Sequence, residues 1–195
     1  MRILLFILLC TPLLVSAQIK IAVKAGLNFA NVSNTAGINA DSRTGFMLGG
    51  YIAPKPKGLF GFRSEIILSR QGYDYKTNTN TGHVNLDYLL LPQLFTINFT
   101  KKVNLHAGPQ LGFLMNAGVD STGNSGGSLL KYFNKFNFGL AAGAEISPLF
   151  GLFFGARANI PLNNTNNGTD PGSPNYIPRV NVKNNVVQVY VGWRL

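Results

Sequence analysis

Two stretches of alternating residues, 86–99 and 103–115, carry the clearest pattern in the chain. In the second stretch, apolar side chains occupy every other position from Val103 to Met115, and most positions between them are small or polar. A repeat of two residues is typical of a β-strand, because successive side chains point to opposite faces. The polar residues 100–102 separate the two stretches, so the sequence predicts an antiparallel hairpin. Each stretch exceeds the roughly 9–11 tilted residues that cross a bilayer.

Six further segments alternate in the same way. They are Ile19–Val32, Thr44–Ala53, Leu59–Tyr75, Phe136–Ile146, Leu152–Ile160 and Val186–Leu195. The intervening segments alternate between short turns and long polar loops. The predicted long loops are Ser33–Arg43, Lys76–Gly82, Ala117–Leu130 and Pro161–Arg179. An even strand number with this alternation predicts an all-β fold, an eight-stranded antiparallel up-and-down transmembrane β-barrel with its short turns on the periplasmic side.

The apolar face of these strands is predicted to lie outward, against outer-membrane lipid. The residues assigned to lipid contact are Val103, Leu105, Leu111, Phe113, Phe138, Phe154, Val189, Val191 and Trp193. The opposite face is small or polar, which is typical of the inside of a membrane barrel. We therefore expect the protein in the cell outer membrane.

Residues 1–17 read as a secretory signal peptide. Arg2 precedes an apolar run, and Val15-Ser16-Ala17 is a small-residue cleavage site before Gln18. An anchoring helix is the alternative, although Thr11-Pro12 interrupts the run and about 20 apolar residues are needed to span a bilayer. A lipoprotein is a further alternative because of Cys10. Cleavage before Gln18 leaves residues 18–195 as one barrel domain without cysteine.

The amino-acid composition supports the predicted fold, and the net charge bears on the possible partners. Only 12% of residues are charged, whereas the chain has 22 glycines and 14 phenylalanines, a composition that fits a sheet in lipid. The formal net charge is +10, yet no run of Lys or Arg exceeds two residues. We therefore expect no nucleic-acid partner, despite the basic charge.

Two motifs resemble the family of PorT-like outer-membrane β-barrel proteins. The segment VKAGLNFANV at Val23–Val32 resembles the family's opening strand. In the central hairpin, Asp87–Met115, Tyr88-Leu89 leads to Pro92, and the return strand reads Gly-Pro-Gln-Leu-Gly at 108–112. Leu90 stands where such families often carry an acidic residue. The resemblance implies an outer-membrane barrel, and some members of the family take part in a secretion system for surface proteins.

Charged residues on the inner face are the candidate functional feature. The predicted interior ion-pair network comprises Arg63, Glu65, Glu145 and Arg157, with Lys24 and Arg194 as an extension. Because an unpaired buried charge is costly, we expect these groups to pair, and we expect Arg157 to pair across neighbouring strands with Glu145. The lumen of an eight-stranded barrel is just wide enough for side chains, so a plugged interior is favoured over a narrow conduit.

Catalytic chemistry has weak support in the sequence. The two histidines, His83 and His106, fall near opposite ends of the barrel, and only His83 with Asp87 and Ser33 or Ser69 offers a candidate catalytic set. No metal-ligand spacing or cofactor motif appears.

We therefore expect a structural or interaction role, either as a surface scaffold or as an accessory to surface-protein secretion, with other envelope or secretion proteins as partners. An outer-membrane enzyme acting on lipid or peptide is the first alternative, and a periplasmic lipocalin-like binder of small molecules is the second. The sequence does not indicate the oligomeric state.

Overall fold

The computed structural model describes residues 19–33, 39–55, 58–76, 81–121, 124–125, 129–166, 177 and 182–195, and the predicted signal peptide lies outside these ranges. The strands are β1 (Ile19–Ser33), β2 (Asn39–Pro54), β3 (Phe60–Lys76), β4 (Thr81–Asn98), β5 (Val103–Ser121), β6 (Asn124–Ser125), β7 (Phe136–Ile146), β8 (Leu152–Pro161) and β9 (Lys183–Arg194). One 3-10 helix spans Leu130–Tyr132. Among the described residues, no helix is long and apolar enough to cross a bilayer.

The eight long strands form a closed ring. Each pairs antiparallel with its neighbours along the chain, and β1 pairs with β9 from Ala22↔Arg194 to Ser33↔Lys183 to close it. The short strand β6 pairs only with β5. The predicted eight-stranded antiparallel up-and-down barrel is therefore confirmed, and closure leaves none of its long strands with an unpaired edge.

The two ends of the barrel differ. We call the end with the connections at residues 55–59, 99–102 and 147–151 the short-turn end. The opposite, long-loop end carries the connections at residues 122–135 and 162–182. In outer-membrane barrels the short turns face the periplasm.

Several strands extend further toward the long-loop end than the sequence pattern predicts. β2 begins at Asn39 instead of Thr44, and β5 continues to Ser121 although Ala117–Leu130 was predicted as a loop. β4 begins at Thr81, inside the predicted loop Lys76–Gly82. The connections after β1 and β3 are therefore only residues 34–38 and 77–80. The pattern missed these extensions because the apolar alternation stops where lipid contact stops, whereas backbone hydrogen bonding continues beyond it.

An apolar belt surrounds the barrel. Every long strand contributes exposed large hydrophobic side chains, for example Leu27, Leu48, Ile66, Phe95, Leu105, Phe138, Phe154 and Val189. All nine residues assigned to lipid contact lie on this outer surface, with Val103 and Leu111 partly covered by neighbours. A belt this extensive is unusual for a water-soluble protein, which rarely exposes large contiguous apolar patches.

Polar side chains mark the upper limit of the belt. Arg70 on β3 forms a bidentate ion pair with Asp87 on β4, with Nε–Oδ1 and Nη2–Oδ2 distances of 2.7 and 3.0 Å. Beyond it, Arg43 Nη1 lies 2.7 Å from Asp74 Oδ1. These partly exposed charges sit on strand segments that rise above the belt at the long-loop end.

The long-loop end of the lumen is covered by buried apolar side chains. The members of this apolar cap are Tyr73, Tyr75, Val84, Leu86, Ala117, Leu129, Phe133, Ile177 and Val182. Backbone bonds hold its loop segments in place, because Leu129 N–H donates to the Ala117 carbonyl at 2.9 Å and Thr165 N–H donates to the Val182 carbonyl at 2.8 Å. These side chains pack together toward the long-loop end of the lumen.

Candidate functional site

The six charges predicted for the interior lie in one connected cluster inside the barrel. Arg63 and Glu65 are two residues apart on β3, so both point inward, and the remaining members come from other strands. We call the group the interior charge cluster: Lys24, Arg63, Glu65, Glu145, Arg157 and Arg194. All are buried except Arg194, which is partly exposed.

Glu65 is the centre of the cluster. Its Oε2 atom lies 2.7 Å from Lys24 Nζ and 2.7 Å from Arg157 Nη1. Its Oε1 atom lies 2.8 Å from Arg63 Nε and forms an ion pair with it. The Nε–H bond does not point toward Oε1, so this contact is not a hydrogen bond. One carboxylate therefore compensates three buried cations that come from β1, β3 and β8.

Glu145 forms the second centre. Its Oε2 atom accepts a 2.8 Å hydrogen bond from Arg63 Nη1 and lies 3.4 Å from Arg194 Nη2. Tyr190 donates its hydroxyl to Glu145 Oε1 at 3.0 Å. Arg63 thus lies between the two carboxylates and joins both halves of the cluster.

The expected pair between Arg157 and Glu145 is wrong. In the β7–β8 register, Arg157 lies opposite Gly143 and Glu145 lies opposite Gly155, so the two charges are two residues out of step. Arg157 instead reaches across the lumen to Glu65, as Arg63 does to Glu145. In a narrow barrel, a long side chain can meet a distant strand as easily as an adjacent one.

Aromatic rings line the cluster and were not assigned to it from the sequence. Lys24 Nζ lies 4.3 Å from the centre of the Tyr190 ring, and the Arg63 guanidinium lies 4.8 Å from that of Tyr51. Cations above aromatic faces are attracted by the ring quadrupole. The alternation identifies Tyr51 and Tyr190 as inward-facing, but only the folded arrangement brings their rings over these cations.

A chain of amide and hydroxyl groups continues the network toward the long-loop end. Arg157 donates to Gln188 Oε1 from Nη2 at 2.8 Å, and Gln188 Nε2 donates to Asn28 Oδ1 at 2.8 Å. Asn28 and Gln71 both donate to Ser69 Oγ at 2.9 Å. Buried polar groups satisfied in this way rigidify the interior.

Two inward glycines make room for the aromatic rings. A Cβ atom on Gly155 would lie 2.5 Å from two carbons of the Tyr190 ring, and one on Gly192 would overlap the ring of Phe153. The Phe153 and Tyr190 rings themselves meet edge to face, with centroids 6.4 Å apart. Large side chains therefore occupy this part of the lumen and pack against bare backbone.

The candidate catalytic set around His83 is not assembled with Ser69, and the side chain of the alternative nucleophile, Ser33, lies outside the described residues. His83 is exposed, and its Nδ1 lies 2.8 Å from Asp74 Oδ1, whereas Asp87 is engaged by Arg70. Ser69 is buried in the lumen, on the other side of the barrel wall from His83. His106 is buried near the short-turn end, 3.4 Å from the Tyr190 hydroxyl. In the part of the chain that the structure describes, no group of three His, Cys, Asp or Glu residues could hold a metal ion.

A closed eight-stranded ring with an apolar exterior and a charged interior defines a small outer-membrane β-barrel. Residues 16–167 match the model of the family described as outer membrane protein beta-barrel domain, and the chain belongs to that family. The protein is accordingly a protein of the outer membrane, where the barrel sits in lipid. Comparison with curated proteins gives no match.

Three solved outer-membrane proteins share the fold. The attachment invasion locus protein Ail of Yersinia pestis has a TM-score of 0.55 and 16% identity, covering 90% of this chain and 98% of Ail. Neisserial surface protein A has a TM-score of 0.54 and 16% identity, with coverages of 90% and 96%. OprG of Pseudomonas aeruginosa has a TM-score of 0.54 and 14% identity, with coverages of 92% and 96%. At this identity the likeness concerns the fold alone.

Proposed function

We propose that this chain is a non-conducting outer-membrane scaffold that acts by interaction with other envelope proteins. The observation that supports the proposal is the placement of large and charged side chains inside the barrel, with the apolar cap toward one end and the interior charge cluster in the middle. Eight strands leave room for side chains and no open channel. A barrel with a filled interior offers its loops and outer wall, instead of a pore, for function.

The finer proposal is a PorT-like role as an accessory to surface-protein secretion, with the mature chain beginning at Gln18. Its support is the sequence resemblance at Val23–Val32 and in the central hairpin. Leu90, where such families often carry an acidic residue, is buried in the lumen. It lies beside the amide side chains of Gln71, Gln110 and Asn137, and the charges of the interior are supplied by other strands.

A non-enzymatic role is part of the proposal. The solved proteins that share the fold are outer-membrane barrels, and His83 and Ser69 lie on opposite sides of the wall. A nucleophile must have its base within hydrogen-bond reach, a condition that Ser69 and His83 do not meet.

Planar-bilayer conductance tests the non-conducting part. The wild-type barrel is expected to give no steady current, because the cap and the cluster block the lumen. The double variant Glu65→Ala/Arg157→Ala removes two large side chains from the lumen and serves as the comparison with a more open barrel. Its folding is checked by its heat-dependent mobility in SDS. Steady currents of porin size from the wild type would refute the proposal.

Deletion of the gene tests the secretion role. Export of surface proteins is expected to fall and to recover when the wild-type chain is supplied. Unchanged export in the deletion strain, with the barrel detected in the parent outer membrane, would contradict an accessory role while leaving the scaffold proposal to the conductance result.

A further inference from the structure

The short-turn end of the barrel holds an open cavity with a volume of about 520 Å³. Five of the described residues that line it are cations, and Glu145 is the only carboxylate among them. These cations are Lys20, Arg63, Lys101, Lys102 and Arg194. A cleft lined by one sign of charge concentrates ions of the opposite sign. The wall of this cavity is therefore suited to an anion.

Among the described acidic residues, Glu145 alone lines this cavity, and it is already paired with Arg63 and Arg194. The four described aspartates, Asp41, Asp74, Asp87 and Asp120, lie on strand segments toward the long-loop end, and both glutamates are buried in the interior charge cluster. Among the described ion pairs, none involves Lys20, Lys101 or Lys102, and all three side chains are exposed.

The interior charge cluster also carries an excess of positive charge. Its four cations share two carboxylates, and Arg63 and Arg194 both reach Glu145. Arg63, which is 3% exposed and lines the cavity, has a buried Nη2 atom with no hydrogen-bond partner in the protein. A buried guanidinium N–H without an acceptor is costly, so this donor group is available to an oxygen ligand.

We propose that the cavity at the short-turn end binds a small, multiply charged oxyanion that carries phosphate or carboxylate groups. Arg63 and Arg194 form the inner wall of the site, and Lys20, Lys101 and Lys102 attract the ligand at its mouth. The planar guanidinium group matches both phosphate and carboxylate geometry. Since the short turns of such barrels face the periplasm, the ligand is taken from that side. This site lies outside the scaffold function proposed above.

Isothermal titration of the purified barrel in a non-ionic detergent tests the site, with pyrophosphate in one arm and citrate in the other. Sodium chloride at matched ionic strength serves as the blank. Two variants are compared with wild type: Lys101→Gln/Lys102→Gln at the mouth, and Lys76→Gln/Lys135→Gln, which removes the same charge at the opposite end. None of these four side chains takes part in a described ion pair.

We expect one pyrophosphate or citrate per barrel. Binding is expected to weaken about tenfold in the mouth variant and to remain unchanged in the control variant, because the lysines act through charge at short range. The stronger arm identifies phosphate or carboxylate as the preferred group. A nitrogen-15 spectrum of labelled arginine side chains is expected to show the Arg63 signal shifting on ligand addition, with Arg63→Lys used for assignment.

Three results would overturn the proposal. The first is absence of saturable binding in both arms. The second is an equal loss of affinity in the mouth and control variants, which would indicate attraction to net charge alone. The third is binding without any change in the Arg63 signal, which would place the anion on the surface lysines and outside the cavity. Conductance measurements do not depend on any of these outcomes, so the scaffold proposal is tested separately.

Discussion

Replacing Glu65 by glutamine is expected to destabilise the barrel far more than replacing its partner Lys24 by methionine. The Glu65 carboxylate lies 2.7 to 2.8 Å from Lys24, Arg63 and Arg157. Glu65→Gln keeps the shape of the side chain but leaves three buried cations without their shared carboxylate. Lys24→Met removes one of three cations and leaves Glu65 with two arginine partners.

The expected magnitudes follow from that difference. Removing one partner of a buried ion pair costs about 3–5 kcal/mol, because the remaining charge is left uncompensated. For Glu65→Gln we expect at least this range. For Lys24→Met we expect about 1 kcal/mol or less, since Glu65 keeps two arginine partners and the desolvation penalty of one buried cation is removed. The double variant should then be more stable than the sum of the two single changes suggests.

Urea unfolding in lipid vesicles measures these differences. The single tryptophan, Trp193, lies on the outer surface of β9 and reports insertion through its fluorescence. Tyr190→Phe is a useful control, because it removes the hydroxyl that donates to Glu145 while keeping the ring beneath Lys24. If Lys24→Met cost as much as Glu65→Gln, the reasoning that carboxylates are the scarce partners of this interior would be refuted.

Two further changes test the wall and the lumen. Leu111→Arg, on the apolar belt, should cost about 2–4 kcal/mol if the position lies near the bilayer midplane, whereas Asn116→Arg, outward on the same strand but beside Asp87, should cost little. Vesicle folding assays compare the two, and equal costs would mean that the belt is misplaced. Gly155→Ala should cost about 1–3 kcal/mol, because the new Cβ would lie 2.5 Å from the Tyr190 ring. Unfolding by urea measures this cost, and Gly155→Ala is expected to cost less in a Tyr190→Ala background than in the wild type; an equal cost in both backgrounds would contradict the steric explanation.

The orientation of the side chains was determined by the sequence itself. Successive side chains of a strand point to opposite faces, so each residue faces either the lumen or the lipid. The alternation therefore predicted inward positions for Lys24, Arg63 and Glu65. It likewise predicted outward positions for Leu105 and Phe113. The strand number and the closed all-β fold followed from counting these segments. The ends of the strands did not, because residues such as Asn39 and Ser121 continue the backbone ladder beyond the lipid-facing pattern.

Which inward residues meet one another was decided by the tertiary structure alone. Arg157 and Glu65 are 92 residues apart, on strands that are not neighbours in the ring, and no local pattern encodes their 2.7 Å contact. The pairing depends on the register of every strand between them and on the narrow diameter set by eight strands. The same holds for the cavity at the short-turn end, whose cations come from β1, β3 and β9 and from the β4–β5 turn. Alternation tells which way a side chain points, whereas closure of the ring determines its height in the lumen and its partners.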